Sequence, residues 1–130
     1  MSKRMYVQTK HEIEYGNSHF NYQQAEVYSL LRQLDCYVYD GDDCGYGDEV
    51  EVKRADVERA CDILRSFMAD ENYECDNCDR DDVRDALDEL YKDGYAGYSF
   101  NAKAEMFLKV LESWLKESPE RYEWIWLSWF

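Results

Sequence analysis

Residues Cys36 to Met68 read CYVYDGDDCGYGDEVEVKRADVERACDILRSFM, and the period of the apolar residues changes part-way along. Cys36–Tyr39 and Val50–Val52 are short β-prone runs. Between them Asp40–Glu49 holds three glycines and four aspartates, the composition of a long, acidic hairpin tip. From Lys53 the spacing turns helical. Asp56 is the expected cap, Val57, Ala60, Cys61, Leu64, Phe67 and Met68 form one stripe, and Glu58, Asp62 and Arg65 lie opposite. A hairpin feeding directly into an amphipathic helix indicates an α+β chain with a small, mostly antiparallel sheet.

Working outward from that segment, Met5–Tyr15 alternates as a half-buried strand, with Met5, Val7, Thr9, His11, Ile13 and Tyr15 on one face. Gly16, Asn17 and Ser18 break it. Asn21 can cap a helix over Tyr22–Leu34, with Ala25, Tyr28, Leu31 and Leu34 at helical spacing. Downstream, Asp79 can cap a helix that runs to about Lys92, its inward stripe Val83, Ala86, Leu87, Leu90 and Tyr91. Gly94–Phe100 (GYAGYSF) is a loop presenting two tyrosines. Asn101 can cap a last helix, Ala102–Glu117, whose wide apolar arc predicts the most buried of four helices, ended by Pro119. Tyr122–Phe130 (YEWIWLSWF) is apolar at successive positions, as in an internal strand covered on both sides. The expected order is β-α-β-β-α-α-α-β in a single domain over 1–130 with about four strands.

At 130 residues such a domain hides roughly 65–70% of its unfolded surface. Its 45% hydrophobic and 16% aromatic content provides a core despite a 34% charged fraction. The net charge is −14, and the whole of it falls between Asp35 and Asp93, where 21 acidic residues face 7 basic ones. This field opposes nucleic acid and anionic membrane and attracts cationic partners. MSKRMYVQTK carries no apolar leader core, and an odd count of five cysteines suits a reducing compartment, so the expected location is the cytoplasm.

Four constellations bear on chemistry. Cys75 and Cys78 form a C-x2-C pair, but the zinc site it suggests needs two more ligands, and Cys36 and Cys44 do not have a zinc-finger spacing. A redox reading of the pair is opposed by Asp76, Asp79 and the acidic field, which disfavour a thiolate. Asp40, Asp42, Gly45, Asp48 and Glu51 match calcium-loop positions one, three, six, nine and twelve, yet Cys44 and Gly47 occupy positions five and eight and β-prone runs flank the loop. A solvated hairpin tip is the better reading. His11 and His19 are the two side chains titrating near neutrality, and His11 shares its strand face with Val7 and Ile13, as a core histidine would. The sequence contains no G-x-S-x-G, no G-x-x-x-x-G-K-[ST] and no H-E-x-x-H. The expectation is a protein without catalytic residues, metal or cofactor, with a small zinc- or calcium-binding module and a homodimer joined through Trp124–Phe130 as alternatives.

Asp70–Asp93 (DENYECDNCDRDDVRDALDELYKD) is then the best-marked surface, with eleven carboxylates against three basic residues. Asp81, Asp82, Asp85, Asp88 and Glu89 fall on the outward face of its helix. Asp88 and Glu89 sit towards the negative end of the helix dipole, where they cost a few tenths of a kcal/mol each, roughly. Positions 81–89 span about 12 Å, a length over which duplex DNA shows about seven phosphates. Asp40, Asp42, Asp43, Asp48 and Glu49 of the hairpin add charge, and Tyr46, Tyr73, Tyr95 and Tyr98 add rigid amphipathic contacts. In size, charge and lack of a catalytic motif the chain is similar to the small anti-restriction and anti-CRISPR inhibitors of mobile elements. That similarity implies a nucleic-acid mimic whose partner is a basic, nucleic-acid-binding protein.

Overall fold

A computed structural model describes residues 4–8, 19–21, 24–40, 49–118 and 123–129. The elements are β1 (Arg4–Gln8), β2 (His19–Asn21), α1 (Gln24–Gln33), β3 (Val38–Asp40), β4 (Glu49–Lys53), α2 (Arg54–Ala69), α3 (Arg80–Leu90), α4 (Phe100–Glu117) and β5 (Trp124–Trp129). The fold is α+β as expected, with four helices and an antiparallel sheet in the order β2-β1-β5-β4-β3. The expected hairpin is β3 and β4, with Tyr39 opposite Glu51 and Asp40 opposite Val50. The fifth strand, β2, replaces the expected cap at Asn21, which pairs with Arg4 instead. Three residues are too few to show a period, so the pairing is invisible without its partner strand.

The last strand of the chain lies at the centre of the sheet, between β1 and β4. Its two faces differ. Ile125 and Leu127 are fully buried with Val50 and Val52 of β4, whereas Trp124, Trp126, Glu51 and Lys53 are half-buried. The expectation of a strand covered on both sides is therefore corrected: helices lie over one face, and aromatic rings partly shield one another on the other. Tyr39 meets Trp124 edge-on at 5.1 Å, Tyr37 stacks on Tyr39 at 4.3 Å, and Lys53 Nζ stands over the Trp124 ring. Within the run Trp124–Phe130, Ile125 and Leu127 are core, while Trp124 and Trp126 remain half-buried.

α1 and α2 pack on the sheet, α3 packs on α1, and α4 packs on α2. The core holds Leu30, Leu31, Leu34, Leu64, Phe67, Leu87, Phe107, Leu111 and Trp114, all essentially without solvent contact. In α1 the buried stripe runs through Val27 and Leu30 as well as the predicted Tyr28 and Leu31, and Ala25 is exposed. α4 has six buried residues in eighteen, and α2 six in sixteen. Thus α4 is not the most buried helix, although it packs against both α2 and α3.

Cap positions follow local geometry. Asp79 caps α3, accepting the backbone N–H of Asp81 at 2.8 Å and of Asp82 at 3.3 Å. α2 starts after Lys53 with no side-chain cap, so Asp56 sits within its first turn, where its carboxylate meets Arg59 at 3.0 Å. α4 is capped by Ser99, which accepts from Ala102 N at 3.1 Å, and Asn101 instead donates to Met68 O. At the end of α1, Asp35 takes the left-handed backbone (φ 59°), with Asp35 N on Arg32 O and Cys36 N on Leu31 O. This closing motif usually uses glycine, and aspartate is among the few side chains that tolerate it.

Three guanidinium groups close the helix ends. Arg54 donates to Leu115 O at 3.3 Å and Ser118 O at 2.8 Å, Arg80 to Phe67 O at 2.6 Å, and Arg59 to Asp35 O. Replacement Arg54→Met leaves the carbonyl end of α4 without its donor and is expected to cost about 1–3 kcal/mol in urea unfolding. Burial pushes the thiols of Cys36 and Cys78 up to about 12 and that of Cys61 up to about 11, from an ordinary value of 9.0. The unfolded chain releases these protons first, so their contribution to stability is intact below pH 9 and lost as pH rises to between 11 and 12. Urea midpoints measured across that range should fall with pH, and a flat profile would contradict the assignment.

Candidate interaction surface

The segment 70–79 leaves α2 through a tight turn. Asp70 N bonds to Ser66 O, Tyr73 N bonds to Asp70 O, and the Asp70 carboxylate accepts Asn72 N at 2.9 Å. Tyr73 lies edge-on to Phe67 at 5.5 Å. Arg80 then turns inward, its guanidinium 4.1 Å from the Phe100 ring centre and 5.7 Å from that of Phe67. It joins α3 to α2 and α4 and takes no part in the charge outside.

α3 buries Val83, Leu87 and Leu90 and turns Asp81, Asp82, Asp85, Asp88 and Glu89 to solvent. All eleven carboxylates between Asp70 and Asp93 are exposed. Their electrostatic situations divide into three. Asp81 pairs with Arg84 at 2.9 Å and Glu89 with Lys92 at 3.0 Å, both i,i+3 pairs between exposed groups. Asp82 and Asp85 have no cationic partner among the described residues. Asp88 receives the Lys103 ammonium at 2.8 Å, and here the partner side chain is only 6% exposed.

That last pair joins α3 to α4 and is the least legible feature of the site. Lys103 is one of two buried polar residues among those described, the other being Ser118. The sequence signal for it was weak: a lysine in the apolar arc of α4, and an aspartate near the C-terminal end of α3 with no obvious reason to be there. Asp88 is consequently committed to the interior contact. Its neighbours are free to meet a partner, because exposed ion pairs are worth only about 0–1 kcal/mol and exchange readily.

Beyond α3 the chain makes an aromatic corner. Gly94 has φ 87°, which glycine adopts without strain, and the turn brings Tyr91, Tyr95 and Tyr98 into an edge-to-face series at 5.7 and 5.1 Å. Tyr91 is buried, and that burial pushes its hydroxyl well above the usual phenol range. Tyr98 is 51% exposed, with Tyr95 and Tyr73 each 36% exposed. Three of the four predicted tyrosines thus flank the acidic segment.

Asp42, Asp43, Tyr46 and Asp48 lie outside the described residues, as do His11 and Cys44. Asp40 and Glu49 end β3 and begin β4, and His19 begins β2. The flanks of the suggested calcium loop are therefore antiparallel strands. Cys36 is buried beside α1, while Cys75 and Cys78 are together in the turn before α3. Among the described residues no group of three or more His, Cys, Asp or Glu side chains is arranged to hold a metal ion, and no helix is long and apolar enough to cross a membrane.

Comparison with protein families, with characterised proteins and with solved structures finds no match to this chain. The surface has to be interpreted from its own geometry. Asp88→Asn should destabilise the fold by about 1–3 kcal/mol, because it removes the counter-charge of a buried ammonium. Asp85→Asn should change stability by no more than about 0.5 kcal/mol. Equal urea midpoints for the two variants would refute this division of roles.

Proposed function

We propose that this protein is an acidic protein-binding module that acts as a nucleic-acid mimic, with no chemistry of its own. Its α3 face and the 70–79 segment occupy the basic groove of a DNA- or RNA-handling protein in the cytoplasm. The observation that carries this reading is the exposure of all eleven carboxylates from Asp70 to Asp93 together with the withdrawal of Arg80 into an aromatic contact.

The chemistry of the partner follows from the surface. Its arginines or lysines would displace Arg84 and Lys92 from their weak pairs and bind Asp81, Asp82, Asp85 and Glu89, spaced along about 12 Å of rigid helix. Tyr73, Tyr95 and Tyr98 would supply flat contacts at the rim, of the kind that arginine stacks against. Binding of this type is steered by the field and weakens with salt.

The test uses the triple variant Asp81→Lys, Asp85→Lys, Glu89→Lys beside the unaltered protein. Both are immobilised and exposed at low salt to a cell lysate. The reading expects nucleic-acid-binding proteins to be retained, released by a salt step or by added duplex DNA, and lost with the variant. Retention that is indifferent to the charge reversal and to competing nucleic acid would overturn it.

A further inference from the structure

Cys78 is buried at the edge of the core that also holds Cys36 and Cys61, and Cys75 packs against that core, partly open to solvent. Cys75 and Cys78 face each other as an antiparallel bridge pair across the two-residue turn Asp76-Asn77. Residues so paired have Cα atoms about 4.5–5.5 Å apart. That falls inside the range of about 4.4–6.8 Å over which a disulfide closes without backbone movement.

Their surroundings make the pair asymmetric. Cys75 is half-buried and lines two open surface cavities, of about 530 and 330 Å³, one shared with Tyr73 and Arg80 and the other with Arg59 and Asn77. Cys78 is the more buried of the two, although it also lines the larger cavity. The turn is held in place from outside, Asn77 Nδ2 donating to the Asp35 carboxylate at 3.3 Å and Asp79 capping α3 on the next residue. A reagent arriving from solvent meets Cys75, the more exposed thiol, with Cys78 lining the same cavity.

We infer that Cys75 and Cys78 form a dithiol–disulfide site, oxidised by exchange with a low-molecular-weight disulfide such as glutathione disulfide. Cys75 Sγ loses its proton against the field of Asp76 and Asp79, which slows the step without changing its direction, and attacks one sulfur of the small disulfide. The S–S bond breaks, one glutathione thiolate leaves and takes up a proton, and Cys75 carries a mixed disulfide. Cys78 then gives up its proton and attacks Cys75 Sγ, expelling the second glutathione. Two protein thiols are oxidised to one disulfide, and one glutathione disulfide is reduced to two molecules of glutathione. Burial of Cys78 holds its proton and slows the second step without changing its direction. The product closes the turn immediately before Asp79 and so clamps the start of the acidic helix.

The experiment incubates the reduced full-length chain with glutathione disulfide, quenches with acid, alkylates with a maleimide and maps peptides by mass. The expected result is a peptide holding Cys75 and Cys78 that is two hydrogens lighter than the dithiol and carries neither maleimide nor glutathione. In Cys78→Ser, checked for folding by circular dichroism, glutathione should remain on Cys75. At a fixed glutathione ratio, the folded chain should also lie further towards the disulfide than the chain unfolded in urea. A wild-type peptide that keeps glutathione, one with maleimide on both cysteines, or a bond from either to another cysteine would each overturn the site. So would an equilibrium no more favourable in the folded chain than in urea.

Discussion

Each of three arginines in this protein gives its guanidinium to the carbonyl end of a helix to which it does not belong. Arg59 of α2 closes the end of α1, Arg80 at the start of α3 closes α2, and Arg54 at the start of α2 closes α4. The last carbonyls of a helix have no intrahelical donor and carry the negative end of its dipole, so a cation placed there satisfies both needs at once. With 15 basic residues against 29 acidic ones, such use has a consequence for the surface. Arg59 also pairs with the carboxylates of Asp35 and Asp56, whereas Arg54 and Arg80 give their guanidinium groups to helix ends and aromatic rings. Two of the three cations thus serve joints between helices and leave the carboxylates outside to water.

The core obeys the complementary rule. Desolvating an unpaired carboxylate costs several kcal/mol, and no Asp or Glu is among the buried residues described. Among the described residues Lys103 is the one buried charged residue, and Asp88 pairs with it. A chain with net charge −14 has little freedom here, since burying a carboxylate would add desolvation to a repulsion already present. Placing all helices over one face of the sheet suits this condition. It concentrates apolar contact in one layer, Val50, Val52, Ile125 and Leu127 against the helices, and leaves the mixed face of Glu51, Lys53, Trp124 and Trp126 part-wet.

What could be read from the sequence was whatever a single element decides alone. The stripes Val83–Leu87–Leu90 and Val57–Leu64–Phe67 came directly from helical spacing, and Asp79 was legible as a cap because the acidic first turn follows it. Choices between two elements were not legible. Whether Asn21 caps a helix or pairs with Arg4 depends on a strand seventeen residues away in the chain. Ser99 and Asn101 can both cap, and the contact of Asn101 with Met68 O at the end of α2 takes its side chain elsewhere. Trp124 and Trp126 look as apolar as Ile125 and Leu127, and only the one-sided placement of the helices separates them. The same holds at the surface: the helix face was readable, but the commitment of Asp88 to Lys103 requires knowing that α4 lies beside α3.

That commitment bears on how the proposed contact surface could work without loosening the fold. If every carboxylate of α3 were held by an internal cation, a partner could bind only by breaking structure. If none were, α3 would be attached by its apolar stripe alone, with like charges crowding its outer face and nothing polar fixing its rotation against α4. One anchored aspartate, with the remaining acids either unpaired or in weak i,i+3 pairs, separates the two tasks. Lys103 ties the helix to α4 through a contact in which the ammonium is shielded while the Asp88 carboxylate stays half exposed. Arg84 and Lys92 hold their carboxylates through contacts worth no more than about 1 kcal/mol each, which a cationic partner can replace at little cost. The orientation of the face and the pairing of its outer carboxylates therefore rest on different residues.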